Sequence, residues 1–129
     1  MNKLSCLVCL GIFFFCAGGA IDSAAKESSE KVLAKEVIHN LEDLYKRGVG
    51  MEKLRVDSKM EACGVAMRKN QAFAVKVYEK AKILSNKFFM VRVAANPVSK
   101  LCVSCNTWVL KNHCKRLKEA IEEARPSIQ

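Results

Sequence analysis

Three cysteines and a histidine lie close together near the C-terminus, in the stretch CVSCNTWVLKNHC at 102–114. Thiols and an imidazole this close together could form a redox pair, part of a zinc site, or disulfides that brace the fold. Which chemistry applies depends on whether the protein enters an oxidising compartment, and on the element that carries the cysteines.

The N-terminus predicts an oxidising compartment. Lys3 precedes an uncharged apolar run at 4–16, and the small residues Gly18 and Ala20 suit a cleavage site after residue 20. This is the three-part pattern of a secretory signal peptide, and the run is too short for a membrane-spanning helix. We therefore expect residues 1–20 to be removed as a signal peptide, in preference to staying as an uncleaved anchor.

The remaining chain, 21–129, is expected to be one secreted, extracellular domain. Three of the seven cysteines lie in the leader, and an even number remains in the mature chain. An even number of cysteines in a short exported chain predicts disulfides, which supplement the modest core that a domain of this size can bury. The four cysteines concerned are Cys63, Cys102, Cys105 and Cys114.

The spacing of apolar residues predicts an all-α, disulfide-stapled bundle of four to five helices. Apolar residues recur at helical intervals over 29–46 and from Ser58 to Leu84, and Asn96 and Pro97 predict the start of a last helix over 97–124. Gly48 and Gly50 follow the first of these runs and predict its end.

Two questions about the middle of the chain stay open. The stretch after Ser58, which begins with a capping box to Glu61, could be one long helix or two helices separated near Asn70. The apolar run FFMVRV at 88–93 fits either a buried helix end or a short strand, because periodicity does not separate these for short runs.

An unbroken helix over 97–124 would allow only one complete disulfide pairing. Cys105 and Cys114 would lie about 13.5 Å apart along its axis, beyond the ~7 Å that a disulfide permits between Cα atoms. The favoured pairing is therefore Cys63–Cys114 with Cys102–Cys105. Other pairings need a break in the helix, which we expect in the NTW tripeptide after Cys105 if it exists.

Redox and metal chemistry fit the same residues less well. A redox Cys-x-x-Cys usually follows a strand at a helix N-terminus, whereas Cys102 and Cys105 lie inside the predicted helix. A zinc site made from these cysteines, His113 and Cys114 would lack a second spaced pair. Neither His39 nor His113 belongs to a catalytic signature, and there is no phosphate-binding loop. We expect no enzymatic activity, no cofactor and no metal.

Charge indicates the kind of partner. The chain carries +9, and the balance is −3 over 21–45 but +9 over 48–129. A basic surface suggests a protein receptor or channel with an acidic face, an anionic membrane or a glycan. Nucleic acid is not expected, because the chain is exported and its aromatics are not interleaved with cations. The candidate cationic residues are Arg68, Lys69, Lys76, Lys80, Lys82, Lys87, Lys111, Lys115, Arg116 and Lys118.

A dibasic pair divides the acidic part from the basic part. Cleavage after Lys46-Arg47 would release 21–47 as an acidic propeptide. The alternative is that these cations complement the C-terminal dipole of the first helix. The apolar stripe through Val37 and Leu41 favours retention, because it needs a core to bury it.

Three functions remain open. The first is a secreted, non-enzymatic cationic effector, toxin-like, salivary or cytokine-like, that binds an extracellular or membrane target. The second is an extracellular carrier of a small apolar ligand, and the third is a membrane-active protein of the antimicrobial type. The Cys105-to-Cys114 spacing resembles one spacing of insect odorant-binding proteins, but the Cys-x3-Cys of that family is missing and we do not assign the chain to it. A carrier's cavity would be lined by Phe73, Val77, Phe88, Met90 and Leu101.

Overall fold

The regular secondary structure described in this chain is entirely helical. The computed structural model describes the backbone of residues 4–56, 60–96 and 98–129, and the side chains of 23–51, 54, 61–96, 100–106 and 112–129. The α-helices are α1 (Leu4–Val56), α2 (Met60–Lys82), α3 (Phe89–Ala95), α4 (Val98–Leu101) and α5 (Thr107–Ala124), with 3₁₀ turns at Asn86–Phe88 and Arg125–Ile128. No strand occurs in these ranges, and the predicted all-α class is confirmed.

Contacts divide the chain into two units, Met1–Val32 and Leu33–Gln129. In the first unit the described backbone is helical, and side chains 23–29 are exposed. The expected signal peptide falls in this unit, where the side chains of 1–22 lie outside the described residues, so its cleavage stays a prediction. Within the described part of the chain, no helix combines the length and apolarity needed to cross a bilayer.

The core of the second unit is one apolar cluster to which every major helix contributes. In α1 the predicted stripe is confirmed, since Val37, Leu41 and Leu44 are fully buried. Each is three or four residues from the next, so all three lie on one helix face. The fully buried partners from the other elements include Val77, Ala81, Phe88, Val91, Val103 and Leu117.

The predicted end of the first helix at Gly48 and Gly50 is wrong, because α1 continues to Val56. Gly48 is buried inside the helix, whereas Gly50 is exposed. A Cβ atom at Gly48 would lie 2.7 Å from the carbonyl oxygen of Cys102 and 2.9 Å from Sγ of Cys114. Glycine is therefore needed here for close packing against another segment, which the local sequence does not reveal.

The two open questions about the middle of the chain are resolved. The helix α2 runs without interruption through Asn70, a buried polar residue. Its amide group has partners on α1, since Oδ1 accepts a hydrogen bond from Arg47 and Nδ2 contacts the sulfur of Met51. The run at 88–93 is helical, because a 3₁₀ turn over Asn86–Phe88 leads directly into α3.

The expected unbroken helix over 97–124 is wrong. Helix α4 ends at Leu101, and α5 begins at Thr107. Between them the Val103 N–H donates to the Lys100 carbonyl at 3.3 Å, in a turn that replaces helical bonding. The break begins at Cys102, before the NTW tripeptide where the sequence predicts it, and α5 packs against both α3 and α4.

Candidate functional site

The cysteine-rich stretch is the place where the fold is covalently braced. Cys63 is bonded to Cys105 with Cα atoms 6.0 Å apart, and Cys102 to Cys114 with Cα atoms 4.4 Å apart. The favoured pairing, Cys63–Cys114 with Cys102–Cys105, is therefore wrong. That pairing depends on a continuous helix over 97–124. Because the helix is broken after Leu101, Cys102 and Cys114 do not lie on the same helix and come within the distance of a disulfide.

These bonds decide which chemistry the cysteines perform. A cysteine in a disulfide offers no thiolate to a zinc ion. Cys102 and Cys105 are bonded to other cysteines and not to each other, as a redox Cys-x-x-Cys would be, so the four sulfurs form cross-links between segments. Within the described residues, no group of three His, Cys, Asp or Glu side chains is placed to hold a metal. His113 is partly buried, and its Nδ1 has no hydrogen-bond partner.

The predicted cationic residues lie mainly on α2 and α5, and some of them are paired with carboxylates. Arg68, Lys69 and Lys76 are exposed on α2, and Arg116 and Lys118 are exposed on α5. Two further members are paired with carboxylates: Lys80 with Glu36 of α1, and Lys115 with Glu119 at 3.9 Å. The side chain of Lys111 lies outside the described residues.

The two residues of the dibasic pair lie in different environments within α1. Lys46 is exposed. Arg47 donates two hydrogen bonds to Asp43, at 2.8 and 3.0 Å, and its guanidinium lies 4.5 Å from the ring centroid of Phe73. Arg47 therefore ties α1 to α2, and cleavage after it stays a prediction that this packing opposes.

A surface cleft with aromatic walls forms where α2 meets α3. It encloses about 240 Å³ and is open to solvent. Its apolar part comes from Tyr78, Phe89 and Val93, of which Phe89 is 54% exposed and Val93 39% exposed. Its lining is completed by Lys82, Arg92 and Asn96, and we call the whole the Tyr78 cleft.

Cations lie over both aromatic rings of the Tyr78 cleft. The Lys82 and Lys100 ammonium groups are 6.0 and 5.9 Å from the Tyr78 ring centroid, and the Arg92 guanidinium is 5.7 Å from that of Phe89. Cation–π contacts at these distances are weak at exposed sites. Their larger effect is to hold positive charge beside an apolar wall.

Two of these cations also donate hydrogen bonds to neighbouring side chains. Arg92 donates to Oδ1 of Asn86 at 2.8 Å, which uses only part of its five-donor fork. Lys82 donates to Glu79 at 3.0 Å, and this hydrogen bond and the charge of Glu79 raise the pKa of Lys82. Lys82 is therefore charged throughout the physiological pH range.

A second, larger depression of about 450 Å³ lies between α1 and α5. It is lined by Tyr45 and Ile121 together with charged groups of both signs: Glu42, Glu122, Lys46, Lys118 and Arg125. Arg125 is ion-paired with Glu42 at 2.7 Å. Because its charges largely compensate one another, this depression offers less attraction to an ion than the Tyr78 cleft does.

The residues proposed for a carrier's cavity line neither of the two depressions described above. Val77 and Phe88 are fully buried members of the packed core, whereas Leu101 is 40% exposed. Phe73 and Met90 are partly buried against the same core.

Sequence reasoning missed most of the Tyr78 cleft. Lys82 is among the candidate cations predicted from the sequence, but Arg92 and Lys100 are not. The aromatic residues Tyr78 and Phe89 are not among the candidate site residues either. For Phe89 the sequence does hold a signal, the two adjacent aromatic residues of FFMVRV, since a short helix buries only one face and must expose one of two adjacent rings.

No family model, curated protein or solved structure matches the chain.

Proposed function

We propose that this chain is a secreted, non-enzymatic effector that binds an anionic extracellular target through the Tyr78 cleft. The observation that carries the proposal is the placement of three cations, Lys82, Arg92 and Lys100, over two exposed or half-buried aromatic rings. Such a surface combines an electrostatic attraction with a rigid apolar contact. Exported status is part of the proposal and is supported by the leader pattern and by the two disulfides.

The disulfides support this function by fixing the segments around the cleft. Cys63 of α2 is joined to Cys105, so α2, which carries Tyr78 and Lys82, is covalently tied to the segment that follows Lys100. A preformed site loses less conformational entropy when it binds than a site that must be ordered first.

A pair of charge-matched variants tests the proposal. The first, K82Q/R92Q/K100Q, removes the three cations of the cleft. The second, K69Q/K76Q/R116Q, removes three exposed cations from other positions and therefore has the same net charge. Binding is measured against heparin, an acidic peptide, and phosphatidylcholine vesicles with or without phosphatidylserine.

We expect at least one anionic probe to bind, and the cleft variant to weaken that binding by about tenfold while the control variant changes it little. Equal weakening by both variants would show that net charge alone is responsible, and would contradict the proposal. Absence of binding to all anionic probes would also contradict it. Release of a trapped dye from the anionic vesicles would favour the membrane-active alternative instead.

A further inference from the structure

The size of the Tyr78 cleft limits its occupant to a group about as large as one side chain. Its volume of about 240 Å³ is below the roughly 300–1,000 Å³ of pockets that bury a drug-sized ligand. A lipid acyl chain or a folded small-molecule ligand would therefore protrude from it. A single residue presented by a larger partner would fit.

The side chains that line the cleft favour a residue with two properties, an aromatic ring and an anionic group. Tyr78, Phe89 and Val93 provide an apolar wall, which favours an aromatic ring that can pack against ring edges and faces. Lys82 and Arg92 line the same depression, and Lys100 lies over Tyr78, so an anionic group must accompany the ring. Glu79 pairs with Lys82, and its single negative charge offsets only part of the charge of the three cations.

Arg92 favours the binding of an anionic group that has several oxygens. Its planar guanidinium can hold two oxygens of one anionic group at once, and only part of its donor set is used by Asn86. A tetrahedral group with several oxygens on the far end of an aromatic ring would reach Arg92 while the ring rests on Phe89. Asn96 also lines the cleft, and its side-chain amide can donate a further hydrogen bond.

We infer that the Tyr78 cleft binds a tyrosine side chain that carries an O-sulfate on an extracellular partner polypeptide. This inference rests on the proposed function and names its target. A sulfated glycan is disfavoured because it presents sulfates along a chain without an aromatic group, whereas the cleft is one depression with aromatic walls.

The test uses a synthetic peptide with one O-sulfated tyrosine between neutral residues. The same peptide without the sulfate, and a version with glutamate in place of the tyrosine, serve as controls for the ring and for the charge. Titrations are done with the full disulfide-bonded protein and with R92Q, R92K and F89A. R116Q is the matched control, since it makes the same substitution at an exposed arginine on α5.

We expect the sulfated peptide to bind about tenfold more tightly than either control peptide. R92Q and F89A should each remove most of that preference, R92K should remove part of it, and R116Q should leave it unchanged. Circular dichroism of each variant checks that the fold is intact. Should F89A alter the fold, the comparison of R92K with R92Q still decides whether the planar fork matters.

Equal binding of the sulfated and unsulfated peptides, or an unchanged preference in R92Q, would overturn the inference. If heparin or anionic vesicles bind in a manner that depends on the three cleft cations while the sulfated peptide does not, the inference fails and the proposed function stands. If no anionic probe depends on the cleft, both fail together.

Discussion

Gly48 in the middle of α1 lies directly against Cys102, close enough that an added Cβ would be 2.7 Å from the Cys102 carbonyl oxygen. The same Cβ would be 2.9 Å from Sγ of Cys114, the disulfide partner of Cys102. The long first helix and the cysteine-rich segment therefore meet without a side chain between them. This contact connects the non-covalent core to its covalent brace.

The first prediction concerns Gly48→Ala. Alanine favours a helix over glycine by about 1 kcal/mol, but overpacking a tight site costs about 1–3 kcal/mol. We expect net destabilisation, because the neighbours of Gly48 are a carbonyl and a disulfide that cannot turn aside. Gly50→Ala is the control in the same helix, since a Cβ there meets nothing within 4 Å. It should stabilise the protein by about 0.5–1 kcal/mol.

Chemical denaturation of the two variants and the wild type measures both effects. A stability of Gly48→Ala equal to or above that of the Gly50→Ala variant would show that α1 does not approach the Cys102–Cys114 bridge as described.

The second prediction concerns the disulfide pairing. Trypsin should cut the chain so that three different peptides carry the cysteines, because basic residues flank each peptide. One peptide carries Cys63, one carries both Cys102 and Cys105, and one carries Cys114. With the pairing seen in the structure, all three peptides stay linked until reduction. Fragmentation between Cys102 and Cys105 in the mass spectrometer should then assign Cys105 to the Cys63 peptide.

One alternative product of the same digestion would contradict this pairing. If the peptide with Cys102 and Cys105 is released alone before reduction, those two cysteines are bonded to each other, as the continuous-helix argument expected.

The third prediction concerns processing after Arg47. The folded, disulfide-bonded protein should resist a dibasic-specific protease, because Lys46 and Arg47 are helical and Arg47 is held by Asp43 and Phe73. The reduced and unfolded chain should be cut at the same bond. Removal of 21–47 should also prevent refolding, since it would delete Val37, Leu41 and Leu44 from the core. A natural product that begins at Gly48 would contradict this prediction.

The fourth prediction concerns Glu79. Because Glu79 raises the pKa of Lys82, Glu79→Gln should lower that pKa toward its ordinary value of 10.5. The folded-state pKa is raised, so the ion pair contributes below the unfolded pKa and its contribution is lost as the pH rises through the folded value. The pair therefore contributes at neutral pH, and deprotonation of Lys82 removes this contribution in alkaline solution. An NMR titration of the Lys82 side chain measures the shift.

The same substitution should strengthen anion binding at neutral pH. It removes a carboxylate that competes for Lys82 in the Tyr78 cleft, and because an exposed ion pair is weak, we expect only about a twofold gain in affinity. Glu61→Gln, an exposed acid elsewhere on α2, is the control with the same change of charge. Equal gains in the two variants would indicate a general charge effect.

The fold class could be predicted from sequence because helical periodicity is local. The stripe through Val37 and Leu41 is visible in a window of a few turns, and the structure buries both residues. The end of α4 was not predictable in this way, since the break after Leu101 is stabilised by a disulfide to a residue on the next helix. Gly48 was misjudged for a related reason, because the segment that requires its small size is distant in sequence.

The candidate site was the least predictable feature. Tyr78, Phe89 and Lys100 come from three separate segments, brought together by the turn after α2 and by the packing of α2 against α3 and α4. Each residue by itself has an ordinary explanation as a surface cation or a core aromatic. Their common role depends on tertiary contacts, which a local pattern does not contain.

The most direct test of the account is a map of where an anionic ligand binds. In a ¹H–¹⁵N NMR titration with the probe that binds most tightly, we predict that the amide shifts concentrate at Tyr78, Lys82, Phe89, Arg92 and Lys100. Shifts concentrated instead on α5 around Lys115 and Arg116, or spread evenly over the basic residues, would contradict the assignment of the Tyr78 cleft as the binding site.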